Sequence, residues 1–73
     1  MQHDFDIFEN YPDGSTIWRT CVCGKYEAER KMLELAEHSQ NGFWAISFEC
    51  HELLPVMPGR QGRPAPAAKA VNH

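Results

Sequence analysis

The chain has no glycine-rich phosphate loop, no recognisable pairing of nucleophile with base, and no apolar run near the ~18 residues of a membrane span. Its 73 residues include only three cysteines, an odd number and too few for a disulfide framework. The opening Met1-Gln2-His3-Asp4 has neither the basic region nor the apolar core of a secretory signal. From these absences a small cytoplasmic protein is expected, without membrane contact, cofactor or enzymatic activity. Residues 55–73 lack Phe, Tyr, Trp and any acid, yet hold four of the five prolines together with Arg60, Arg63 and Lys69. Such a segment buries too little apolar area to offset its ordering entropy. It is expected to be a flexible, disordered basic tail, which leaves residues 1–54 as the single folded domain.

Charge divides along the same line. Residues 1–54 hold all ten acids against Arg19, Lys25, Arg30 and Lys31, a net of −6, while the tail carries +3. An acidic body makes nucleic acid an unlikely partner. It also admits a different role, an acidic inhibitor that mimics a nucleic-acid surface. A body of about fifty residues buries only roughly 60% of its unfolded surface and gains from a disulfide, a metal or a partner.

What is present is a succession of well-marked elements. Asp4-Phe5-Asp6-Ile7-Phe8 alternates as a strand does. In Tyr11-Pro12-Asp13-Gly14, the proline suits the second position of a type I turn and the glycine supplies positive φ at its exit. A three-residue hairpin loop with a bulge follows from that chemistry. Ile17–Cys23 is the return strand, rich in β-branched and aromatic residues. Lys25–Ser39 has helical periodicity. Tyr26, Ala28, Met32, Leu33, Leu35 and Ala36 share one broad side, and Glu27–Lys31 and Arg30–Glu34 are expected ion pairs on the other. Asn41-Gly42 is the stop signal, and Phe43–Phe48, extending toward Leu54, is the third strand.

The order predicts an α+β fold: a two-layer ββαβ sandwich, with a three-stranded sheet and one helix on one face. A right-handed crossover sets the third strand parallel to the second, and the favoured position is beside the first. The three-residue loop pairs Phe8 with Trp18 and puts Thr20 and Val22 on their face. Phe5, Ile7, Ile17, Cys21 and Cys23 then share the other. A two-residue loop would invert the assignment. Under either register both faces carry large apolar groups, and one helix covers only one face. The uncovered face is therefore the candidate interaction surface, with Phe8, Trp18, Val22 and Phe43 as its residues. Its partner is the protein itself, as a homodimer, or another protein.

Cys21, Cys23, Cys50 and His51 are the only cluster of metal-ligand types. Cys21-x-Cys23 is closer spaced than the usual zinc pair, and Cys50 and His51, as strand neighbours, point to opposite faces. A metal- or thiol-based site using Cys21 and Cys23 with Cys50 or His51 is the alternative function, and buried cysteine acting as a small hydrophobe is the ordinary explanation.

Asp6-Ile7-Phe8-Glu9, Pro12-Asp13-Gly14-Ser15, Trp18-Arg19, Cys21-Val22, Gly24, Glu27-Ala28, Leu35-Ala36 and Phe43-Trp44-Ala45-Ile46 together resemble a family of small uncharacterised bacterial proteins. The family shares the strand, Pro-Asp-Gly turn, strand, helix, strand layout, and the likeness covers residues 4–48. It implies a bacterial origin and supplies no activity, ligand or catalytic residue.

Overall fold

The computed structural model describes residues 2–60. The chain forms β1 (Asp4–Asn10), β2 (Thr16–Cys23), α1 (Lys25–Glu37), β3 (Gly42–Ser47) and β4 (Glu52–Met57). The strands make one sheet in the order β2-β1-β3-β4, each neighbour antiparallel to the next. The α+β class is as expected and β3 does lie beside β1, but the sheet has four strands rather than three. The run read as one strand toward Leu54 is broken at residues 48–51, where His51 takes a left-handed φ of 59°. No glycine, proline or asparagine marks that turn.

β4 also runs across the expected boundary between residues 54 and 55. Pro55 does not stop the strand because it lies on an outermost strand, where no ladder N–H is required of it. It also falls within a bulge: Phe43 pairs with Met57 and Ala45 with Leu54, so Pro55 and Val56 together oppose Trp44. Beyond β4, Gly59 lies so close to the backbone of Gln40 and Asn41 that a Cβ would collide with it. The Arg60 N–H then donates to the Ser39 carbonyl at 2.9 Å. The remainder of the expected tail, residues 61–73, lies outside the described residues.

The β1–β2 loop follows its sequence. The Gly14 N–H donates to the Tyr11 carbonyl at 2.9 Å, the Tyr11 N–H to the Ser15 carbonyl at 2.8 Å, and Gly14 has φ 93°. Asp13 Oδ1 accepts from the Ser15 N–H at 2.8 Å, the local side-chain bond that favours aspartate in turns. Phe8 pairs with Trp18, as the three-residue loop requires. Past that pair the register shifts by one: Ile7 faces Thr20, Phe5 faces Val22 and Asp4 faces Cys23, leaving Arg19 as the extra residue. Everything beyond a bulge changes face. Thr20 and Val22 therefore stand on the same side as Phe5 and Ile7, and Cys21 and Cys23 stand on the side of Phe8, the reverse of the expected assignment.

The helix ends at Glu37 and covers the side that holds Phe5, Ile7, Phe43, Ala45 and Leu54. Ala28, Met32 and Ala36, one turn apart, are its buried residues. The two alanines admit the sheet closely and Met32 fills the space between them. Leu35 and Val22 pack at the margin of this core rather than in it. Complete burial of Phe5, Ile7, Met32, Phe43 and Leu54 contributes about 1.5–3 kcal/mol each. On the solvent side of α1 the ion pairs form at three-residue spacing, Arg30 with Glu27 and Lys31 with Glu34, instead of the expected four.

Candidate binding face

Alternation along each strand decides what the uncovered side of the sheet presents. Outward positions are Asp4, Asp6, Phe8 and Asn10 on β1, Thr16, Trp18, Cys21 and Cys23 on β2, Trp44 and Ile46 on β3, and Leu53 on β4. Side chains of directly paired residues meet on one face. Phe8 pairs with Trp18 on one flank and Trp44 on the other. The Phe8 and Trp44 rings stack with centroids 4.7 Å apart and planes 16° from parallel. Trp18, Leu53 and Val56 are 53%, 62% and 58% exposed, so no described segment covers this face.

Polar anchors hold the rings in place. Trp18 Nε1–H donates to Asp6 Oδ1 at 3.0 Å and Trp44 Nε1–H to Asn10 Oδ1 at 2.9 Å. Thr16 Oγ–H donates to the same Asn10 oxygen at 3.0 Å. Both indole N–H groups are thus satisfied inside the face, which offers a partner ring surface and hydrocarbon bordered by the Asp4 and Asp6 carboxylates and the Asn10 amide. A groove of about 480 Å³ opens beside the stack, lined by Asn10, Trp44, Leu53, Leu54, Pro55 and Val56. A second groove of about 450 Å³, between α1 and β4, is bordered by Tyr26, Leu33, Met32 and the other side of β4. Tyr26 and Leu33, which the helical periodicity put on the packed side, line this groove and stay exposed.

Of the expected face residues, Phe8 and Trp18 lie on the uncovered side, adjacent. Val22 and Phe43 do not. The Arg19 bulge turns Val22 inward, and Phe43 is fully buried under the helix because it alternates with Trp44. Sequence reasoning chose Phe43 over its neighbouring ring Trp44, and passed over Ile46, Leu53 and Val56. The signal for Trp44 was available, since setting β3 beside β1 places one of two adjacent rings opposite Phe8.

Cys21 and Cys23 stand outward at the start of β1, opposite Asp6 and Asp4, while Cys50 and His51 belong to the β3–β4 turn. All three cysteines are free and exposed, contrary to the expected burial. Among the described residues no group of three or more Cys, His, Asp or Glu side chains is arranged to hold a metal ion. Desolvation, then the charges of Asp6 and Asp4, push the Cys21 thiol above its ordinary value. That opposes thiolate formation, which both metal ligation and nucleophilic attack require.

The buried carboxylate has a structural task. Glu9, on the helix side, accepts from Ser39 Oγ–H at 2.8 Å and Asn41 Nδ2–H at 2.9 Å, and its other oxygen lies 3.4 Å from Arg19 Nη1. Burial alone would raise its carboxyl, but the bonds from Asn41 and Ser39, with Arg19 and Tyr11 adding to them, hold it below the ordinary value. The group clamps the α1–β3 loop to β1. No described helix is long and apolar enough to cross a membrane. Comparison with protein-family models, with curated proteins and with solved structures finds no match for the chain, so the face must be interpreted from its own chemistry.

Proposed function

We propose that the chain is a small non-enzymatic protein-interaction module whose binding surface is the uncovered face of the sheet, used for self-association or for a second protein. The observation that carries this is the Phe8–Trp44 stack beside Trp18, with both indole N–H groups already engaged. A monomer seldom leaves such a surface to water, and large aromatics are enriched where proteins meet. The two sheet edges favour the face over strand addition as the route. β2 is interrupted by the Arg19 bulge, and β4 by its own bulge with Pro55, the devices that blunt exposed edges. A body this small also gains stability when its second face is buried.

Sedimentation equilibrium of the full chain from micromolar to millimolar concentration tests this, alongside Trp44→Lys. An apparent mass that rises with concentration in the parent and not in the variant is the expected result. A chain that stays monomeric throughout removes self-association. If its Trp44 is then also indifferent in every partner complex, the whole proposal falls.

A further inference from the structure

We propose that the open face of the sheet is the docking site of a basic amphipathic helix contributed by another protein. The inference rests on the face being a binding surface, and adds the chemistry of the partner. Three observations carry it. The first is charge. Among the outward positions of the four strands Asp4 and Asp6 are acidic and none is basic; Arg19 is drawn to Glu9 on the helix side. Residues 2–60 hold all ten acids of the chain against Arg19, Lys25, Arg30, Lys31 and Arg60. A second copy therefore brings like charge to the face, whereas lysine and arginine bring the missing sign. A guanidinium also stacks on an indole, and the half-exposed Trp18 ring lies beside the Asp6 carboxylate through their hydrogen bond.

The second is hydrogen bonding. β1 and β3 have a neighbour on each side, so their backbone groups point along the sheet into its ladders and not out of the face. Both indole N–H groups are engaged as well. An extended segment laid across the rings would strand its own N–H and C=O groups at a cost. An α-helix bonds those groups internally and presents side chains alone. It is the polypeptide form suited to a surface of rings and hydrocarbon with acids at one end.

The third is shape, which the other side of the sheet demonstrates. There α1, with 13 residues, is roughly 20 Å long. The seven-residue β1 beneath it has a similar length, roughly 20 Å. Four strands about 4.8 Å apart span roughly 14 Å, and a helix is about 10–12 Å across. The open face belongs to the same strands and has room for one helix of about three to four turns. Over Phe5 and Phe43, α1 presents Ala28 and Ala36 with Met32 between them. The Phe8–Trp44 stack asks the same of a partner: small residues above the rings, and one longer aliphatic side chain for the groove between Trp44 and Leu53, Pro55 and Val56. The partner's lysines or arginines belong at the end that lies on Asp4 and Asp6. That end is the helix N-terminus, where the dipole is positive.

The test is selection from a displayed library of random peptides of about sixteen residues, long enough for a helix of that size with its flanks. The full-length protein is the target and full-length Trp44→Lys the counter-target, with circular dichroism as the check that each is folded. The expected result is a set of sequences with apolar residues at three- and four-residue spacing and with Lys or Arg, which gain helical dichroism on binding. Calorimetric titration of a selected peptide then reads the charge. Asp4→Asn/Asp6→Asn removes both charges and keeps an oxygen to hold Trp18, and it should weaken binding about five- to tenfold. Added salt should weaken binding to the parent more than to that variant. Selected sequences that are proline-rich or acidic overturn the proposal, as does equal affinity for the parent and the Asp4→Asn/Asp6→Asn chain. Failure of the library to enrich any helix also overturns it. If the parent then self-associates and Trp44→Lys does not, the face goes to a second copy and its reading as a binding surface stands.

Discussion

One sheet presents two apolar faces, and they have different fates. On the helix side Phe5, Ile7, Phe43, Ala45 and Leu54 close over Ala28, Met32 and Ala36, and almost nothing of them meets water. On the other side Phe8, Trp18, Trp44, Ile46 and Leu53 form a second apolar surface with no described layer above it. Their side chains differ accordingly. The covered face is aliphatic with two phenyl rings, and its one buried carboxylate, Glu9, bonds the α1–β3 loop rather than a ring. The open face uses amphipathic indoles, each donating a hydrogen bond to a side chain of the neighbouring strand β1. The contrast separates side chains that make the fold from side chains that the fold displays.

The sharpest way to break that contrast is a pair of truncations. Phe43→Ala is expected to cost about 3–5 kcal/mol, enough to leave a domain of this size largely unfolded, read from urea melts followed by circular dichroism. Trp18→Ala, on the open side, should cost less than about 1 kcal/mol. Equal costs would mean that both faces are structural.

Glu9 gives the next effect. Because its carboxyl ionises at lower pH in the folded chain than in the unfolded one, its contribution is complete above the ordinary carboxylate range and is lost as pH falls through the folded value. Glu9→Gln should destabilise by about 1–3 kcal/mol at neutral pH and show a flatter acid limb in thermal melts. A variant that matches the parent at every pH would leave the clamp without energetic weight.

The smallest expected effect runs the other way. Ser47 Oγ is fully buried on the helix side and has no hydrogen-bond partner among the described residues. Ser47→Ala removes that unmet hydroxyl and should stabilise by about 1 kcal/mol, visible as a raised Tm. A lowered Tm would indicate that the hydroxyl is satisfied by a bound water.

These faces were legible from sequence only as far as local chemistry reaches. Pro12-Asp13-Gly14 announces its turn, and the Ala28, Met32, Ala36 spacing announces the helix, because each acts through residues close in the chain. Arg19 carries no mark of a bulge, since any residue can be the extra one, and that single insertion moved Val22 inward and both cysteines outward. β4 was hidden for two reasons. Its turn, Phe48–His51, is built from residues with no turn preference, and Pro55 reads as a breaker unless the strand is known to be outermost. The surplus of rings showed that a second apolar face exists. Only the register of β3 on β1, Phe8 opposite Trp44, could show that Trp44, rather than Phe43, belongs to it.

The strand order also has a kinetic consequence. In β2-β1-β3-β4 the outer pairs are hairpins closed by short loops, whereas the central β1–β3 pairing joins residues on either side of both β2 and the helix. Local hairpins form in about 1–10 μs, while closing a long loop must be entropically compensated before distant pairing returns anything. The seam between β1 and β3 is thus the natural last step and the natural place for the rate barrier. The Phe8–Trp44 stack straddles that seam on its solvent side. The rings that the finished molecule displays are also the first on the open face to report that its two halves have joined.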